Sequence, residues 1–248
     1  MNDGALPLPP PALRFMNEDD ERFLATGDGI VSDLLDLCGL RTDSVVLDLG
    51  SGYGRVAHAL WRRGYRGDYL GLDPLRRHVK CCRRTLTKAT GGALRFKHVD
   101  VENARYNPKG RLRADSVRFD VADASVDVVV LASVFTHMYP RDVRHYLGEL
   151  GRLLKPSGRA LATFFALDET WREAETAGRS SLPMPFELEP GCRFHRESDP
   201  LHAIGYAPTW IRGEVDGAGL RIFACRLGTW CRRAAALGYQ DTFVLEHR

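Results

Sequence analysis

No apolar run in this sequence approaches the roughly 20 residues needed to span a bilayer, so membrane insertion is not expected. An excess of one charge sign is also missing. A net charge of +3 over 248 residues is too small to imply a nucleic acid or an anionic membrane surface as partner. The arginines lie along the whole chain, which reads as a solvated surface and not as a patch. No C-x-x-C pair occurs among Cys38, Cys81, Cys82, Cys192, Cys225 and Cys231. That argues against a zinc centre or a disulfide framework and for reduced thiols in a cytoplasmic protein. The stretch Met1 to Pro11 is proline-rich and lacks the cationic start and apolar run of a secretory signal.

What is present is an alternation of β-branched runs and helical periodicity. Runs at 44–49, 69–73, 94–101, 126–131 and 159–167 read as buried strands, with closing strands at 221–227 and 242–247. Helices are predicted at 55–63, 75–89, 141–154 and 208–217. From Glu18 to Leu40 the apolar spacing is helical, with Gly27 and Gly29 expected to split it into two pieces and Gly39 to stop it. Residues 103–125 read as a long loop. Residues 168–205, rich in Pro, Gly, Ser and charge, read as an inserted cap. The pattern predicts an α/β, doubly wound, mostly parallel seven-stranded sheet. Its expected organisation is an N-terminal arm with lid helices over 1–40, then one domain over 41–248.

The segment Val46-Leu47-Asp48-Leu49-Gly50-Ser51-Gly52-Tyr53-Gly54 is a strand running into a glycine loop and then a helix. Such a loop lets a ligand approach bare backbone amides. Asp73 lies about 20 residues on, at the end of the second strand, where a carboxylate can accept bonds from ribose hydroxyls. A nucleoside ligand follows. The spacing is not G-x-G-x-x-G, and Asp48 would repel a pyrophosphate, so an NAD-dependent oxidoreductase is the weaker reading. A carboxylate at Asp48 suits a ligand that carries cationic ammonium and sulfonium groups; its alternative role is to brace the loop.

With Asp73, His98-Val99-Asp100-Val101-Glu102-Asn103, Ser125-Val126-Asp127-Val128-Val129-Val130 and Leu150-Gly151-Arg152-Leu153-Leu154-Lys155-Pro156-Ser157-Gly158-Arg159, this motif resembles the class I S-adenosylmethionine-dependent methyltransferases. The resemblance covers roughly residues 40–168. It implies a Rossmann-like fold and S-adenosyl-L-methionine as cofactor, held by Asp48, Gly50, Ser51, Gly52, Tyr53, Gly54, Asp73, Pro74, Asp100, Val101 and Ser133. Gly50 and Gly52 would face the methionine moiety, Asp73 the ribose, and Asp100 with Val101 the adenine. Asp100 can equally be a turn residue.

In open α/β sheets, acceptor groups are expected beyond the carboxyl end of the fourth strand. There Ala132-Ser133-Val134-Phe135-Thr136-His137-Met138-Tyr139 offers His137 as a candidate general base, because imidazole titrates near neutrality. The competing role for His137 is a bond to a loop carbonyl. Tyr139, His195 and Trp230 are candidate acceptor contacts, Trp230 against the alternative of ordinary packing. Cap residues 192–202 carry two histidines and two carboxylates in no defensible metal spacing, so no metal is expected. Ser133 to Met138 with Ala162 to Leu167 resemble bacterial small-molecule methyltransferases, and the expected acceptor is a hydroxyl of a sugar, glycolipid or related metabolite. No Asn/Asp-Pro-Pro-aromatic element follows the fourth strand, which disfavours a nucleic-acid base as acceptor. A non-catalytic cofactor-binding relative and a homodimer both stay open.

Overall fold

The computed structural model describes residues 6–14, 18–233 and 238–248. Of the predicted N-terminal arm, 1–5 and 15–17 lie outside the described residues. The central sheet has seven strands: β1 (Val46–Leu49), β2 (Tyr69–Asp73), β3 (Leu94–His98), β4 (Val126–Leu131), β5 (Leu154–Phe164), β9 (Leu220–Arg226) and β10 (Asp241–His247). Their spatial order is β3-β2-β1-β4-β5-β10-β9. The first five run parallel, and β10 is antiparallel to both β5 and β9. All four residues of β1 are buried, as a strand must be when helices cover both faces of a parallel sheet.

One face is covered by α1 (Asp20–Cys38), α2 (Arg55–Arg62) and α3 (Arg76–Cys82), where Val31, Leu34, Val56, Leu60 and Val79 pack on Tyr69, Val128 and Leu161. The other is covered by α4 (Pro140–Leu153) and α6 (Pro208–Gly217), through Leu147, Leu150, Ile211 and Val215 on Leu47, Val129 and Phe164. The 103–125 loop is fastened to α4 rather than free. Glu149 accepts the Phe119 N–H at 3.0 Å, Arg152 donates to the Val121 and Phe119 carbonyls, and His145 Nε2 donates to the Val117 carbonyl at 2.6 Å.

Between β5 and α6 the chain forms α5 (Glu169–Thr176) and a separate antiparallel sheet of β6 (Phe186–Glu189), β7 (Cys192–Phe194) and β8 (Ile204–Tyr206). This small sheet is clamped to the turn after β4. The Tyr206 hydroxyl donates to the carbonyls of Met138 at 2.6 Å and Phe135 at 3.1 Å.

Four boundaries differ from the sequence reading. The α1 helix is continuous: Gly27 does not break it but lets it approach α2, since a Cβ there would lie 3.0 Å from the Arg55 carbonyl and 3.1 Å from Ala59 Cβ. Gly39 does stop it, with φ +64. The α3 helix passes into a π turn over Arg83–Thr87. Lys155 to Gly158 lie inside β5, where the register against β4 shifts between Val126 and Val128. The third strand ends at His98, because Val101 pairs instead with Leu112 in the following loop. Gly27→Leu should therefore lower stability by about 1–3 kcal/mol by forcing α1 off α2. Chemical denaturation measures this, and unchanged stability would remove the close-packing account.

Candidate active site

The loop between β1 and α2 is built on the end of β2. The Gly50 and Ser51 N–H groups both donate to the Leu72 carbonyl, at 2.8 and 3.0 Å. Asp73 completes the tie: Oδ2 accepts the Gly52 N–H and Oδ1 the Leu75 N–H, each at 2.8 Å. Pro74 sits half-buried between these bonds. Gly50 has φ +78 and backs onto the turn after β4, where a Cβ would lie 2.6 Å from Val134 Cγ2. Gly52, at φ +54, faces open space with nothing within 4 Å of a Cβ position. Gly54 caps the start of α2 and backs onto Leu86. The buried Ser51 Oγ has no hydrogen-bond partner among the described residues.

The loop rests on uncompensated acid. Asp48 is buried and accepts the Tyr69 hydroxyl at 2.6 Å; burial raises its carboxyl to about 7, with Asp73 adding to the shift. Asp73 is also buried and raised by desolvation to about 6, although its two backbone N–H donors pull the other way. Among the described residues neither has a lysine or arginine partner. The nearest basic group, His78 Nδ1 at 3.8 Å from Asp73, is itself lowered to about 4 by burial and stays neutral. Tyr53 is enclosed under the N-terminal segment. Its hydroxyl donates to Glu18 Oε2 at 2.9 Å, and Arg55 pairs with the same carboxylate at 2.8 Å.

Beyond β4, Ser133 is exposed and adopts φ +59. Its N–H donates to Thr163 Oγ1 at 2.7 Å. The Ser133 and Thr163 hydroxyls both donate to Gln240 Oε1, at 2.9 and 2.7 Å, and Gln240 Nε2 reaches Thr136 at 3.4 Å. This uncharged cluster was not foreseen. Gln240 lies 107 positions from Ser133, and only the antiparallel return of β10 along β5 brings it there. His137 follows in a short turn. Its Nδ1 lies 2.9 Å from the Leu201 carbonyl and so carries the proton, and its ring meets the Tyr106 edge at 5.5 Å. Burial lowers the imidazole to about 4. Tyr139 is half-buried beside Arg141.

The remaining sequence candidates lie elsewhere. Asp100 accepts Arg111 Nε at 2.8 Å and Asn107 Nδ2 at 3.1 Å. The Arg111 bond holds its carboxyl below the usual range, so it braces its own turn as well as lying near the end of β3. Val101 is buried in the core. His195 bonds the Pro183 carbonyl in the cap and lies 5.1 Å from the His202 ring. Trp230 must be corrected. It is fully enclosed, packs on Phe165 and donates Nε1 to the buried Asp241 at 2.7 Å, so it is core and not an acceptor wall. Among the described residues no group of three or more His, Cys, Asp or Glu could hold a metal ion, and no helix is long and apolar enough to cross a membrane.

Residues 47–162, from β1 into β5 and just under half of the chain, match the sequence family described as a methyltransferase domain. The fold agrees. A Pyrococcus horikoshii protein superposes with a TM-score of 0.63 at 17% identity, covering 96% of each chain. The 1,6-didemethyltoxoflavin-N1-methyltransferase of Burkholderia thailandensis, solved with S-adenosylhomocysteine, gives 0.56 at 16% identity over 92% of this chain and 79% of its own. The CcbJ methyltransferase of Streptomyces caelestis gives 0.60 at 15% over 90% and 89%.

The resemblance implies S-adenosylmethionine as cofactor, and the residues fit it. Two buried carboxylates without a cationic partner suit a ligand that brings its own positive charge. The space beside Gly52 stays open to it, whereas the Gly50, Ser51 and Gly52 N–H groups are taken within the loop and the buried Ser51 Oγ packs against Gly71. Ionised Asp48 attracts a cation and protonated Asp48 does not, so affinity should be full above its pKa of about 7 and fall below it. The dissociation constant for S-adenosylhomocysteine should weaken about tenfold between pH 8 and pH 6. Asp48→Asn should bind weakly at pH 8 and lose most of that slope. Parallel slopes in both proteins would contradict the assignment.

Proposed function

We propose that the chain transfers a methyl group from S-adenosylmethionine to a neutral, hydroxyl-bearing small molecule, a sugar, glycolipid or related metabolite. The observation that carries this reading is the uncharged cluster of Ser133, Thr136, Thr163 and Gln240 at the carboxyl ends of β4 and β5. It sits on the turn whose Val134 touches Gly50, so acceptor-side and cofactor-side groups share one edge. Amide and hydroxyl groups there match a polyol better than an ion. When bound, the cofactor supplies a methyl on a sulfonium with a neutral leaving group, and the protein's main task is alignment. The N-terminal segment, held to Tyr53 and Arg55 through Glu18, acts as a lid over the loop in this reading, and the cap bounds the acceptor side.

His137 is the proposed proton acceptor. With Nδ1–H held by the Leu201 carbonyl, Nε2 carries the ring's lone pair. A second reading, an acceptor nitrogen that attacks through its own lone pair, is favoured by the low basicity of this ring. Turnover separates the two. If His137 is the base, His137→Ala lowers kcat about 100-fold or more. In the wild type the base form persists down to about pH 4, so kcat at saturating cofactor stays flat across neutrality and falls only in acid. A variant within a few-fold of wild type, on an amine but not on a hydroxyl acceptor, would support the nitrogen reading and reject the hydroxyl one.

A further inference from the structure

The outer side of α3 holds a solvent-open groove of about 470 Å³ lined by Arg76, Val79, Lys80, Arg83, Arg84 and His98. The sequence reading of evenly dispersed arginines fails here. Residues 75–99 contain eight lysines and arginines and no Asp or Glu, so this one segment exceeds the net charge of the whole chain and the remainder is net acidic. Elsewhere surface arginines are commonly answered by carboxylates, as in Arg62 with Asp28, Arg118 with Asp123, Arg144 with Glu214 and Arg221 with Glu246. Lys80, Arg83 and Arg84 have no carboxylate within 4.0 Å among the described residues, and Arg76 only touches that limit at Asp100. Arg83 is oriented by a 2.8 Å bond from Nε to the Phe96 carbonyl.

This arrangement works against the helix that carries it. Arg76 with Lys80, and Lys80 with Arg84, are like charges one turn apart, and such pairs destabilise a helix. Among the described residues the one carboxylate near them is Asp100, 4.0 Å from Arg76. A dissolved counter-anion would relieve them only weakly, whereas a multiply charged group seated in the groove would relieve several at once.

We propose that this groove binds a small ligand through a diphosphate or triphosphate group. Its volume falls in the range of small-molecule sites, about 300–1,000 Å³. Four cations exceed what a single phosphate group would need. Among the lining residues the one aromatic ring is His98, with no Phe, Tyr or Trp to form a platform on which successive nucleic-acid bases could stack. The large exposed hydrophobic residues among those described, Leu35, Leu112, Phe223, Leu227 and Tyr239, do not line the groove, so its lining offers no exposed apolar side chain to a bilayer. The proposal does not depend on the methyl acceptor.

The test is calorimetric titration of the full chain with inorganic diphosphate and tripolyphosphate at low salt. One-to-one binding is expected, stronger for tripolyphosphate and weakened about tenfold or more in Lys80→Glu/Arg84→Glu. That variant should bind S-adenosylhomocysteine as the wild type does, which shows that it is folded. Absence of saturable binding, several equivalents bound, or equal affinity in the variant would each overturn the proposal. So would tighter binding of a single-stranded oligonucleotide or of phosphatidylglycerol vesicles than of tripolyphosphate, which would assign the groove to a polymer or a membrane surface.

Discussion

The site depends on one carboxylate. Asp73 ends β2 and holds the Gly52 N–H with one oxygen and the Leu75 N–H with the other. These bonds fix the glycine loop against the strand beside it and set the entry to α3. Each oxygen keeps a further lone-pair direction, so the group that shapes the loop can also accept from a bound ligand. The Leu72 carbonyl supports the same loop from the preceding residue. With the loop fixed, Gly50 can abut Val134, and that contact brings the turn after β4, with Ser133 and His137, alongside the cofactor side.

Charge is distributed to the same end. Among the described residues Asp48 and Asp73 are buried with no lysine or arginine partner, and burial raises both carboxyls above their ordinary range. Desolvating a carboxylate disfavours its charged form, so the loop carries an electrostatic cost that a cationic ligand offsets. The cluster of Ser133, Thr136, Thr163 and Gln240 is uncharged, and His137 is kept neutral by burial. The chain's excess of positive charge lies instead over residues 75–99, from α3 to β3 at the sheet edge.

The sheet and the cofactor loop were legible because both are local. Val46 to Leu49 is a buried run ending in glycines, Asp73 ends the next one, and parallel order follows from alternation with helices. Gly27 was misread as a break because its use is tertiary: only the partner helix shows that a close approach is needed. Trp230 stayed open between an acceptor contact and packing for the same reason, since its partner, Asp241, belongs to the following strand and is wholly buried. Gln240 carried no local signal at all. The cluster it joins is created by β10 running antiparallel to β5, and no spacing rule near Ser133 points to a residue 107 positions away. The cationic side of α3 was visible as composition, but only the groove beside β3 shows that the charges converge.

The most direct measurement is calorimetric titration of S-adenosylhomocysteine into the wild-type chain and Asp73→Ala. The account predicts one-to-one binding to the wild type, weakened about tenfold or more when the carboxylate is removed, since charge-assisted hydrogen bonds are lost. A folded wild type that does not bind, or a variant that binds with the same affinity, would contradict it.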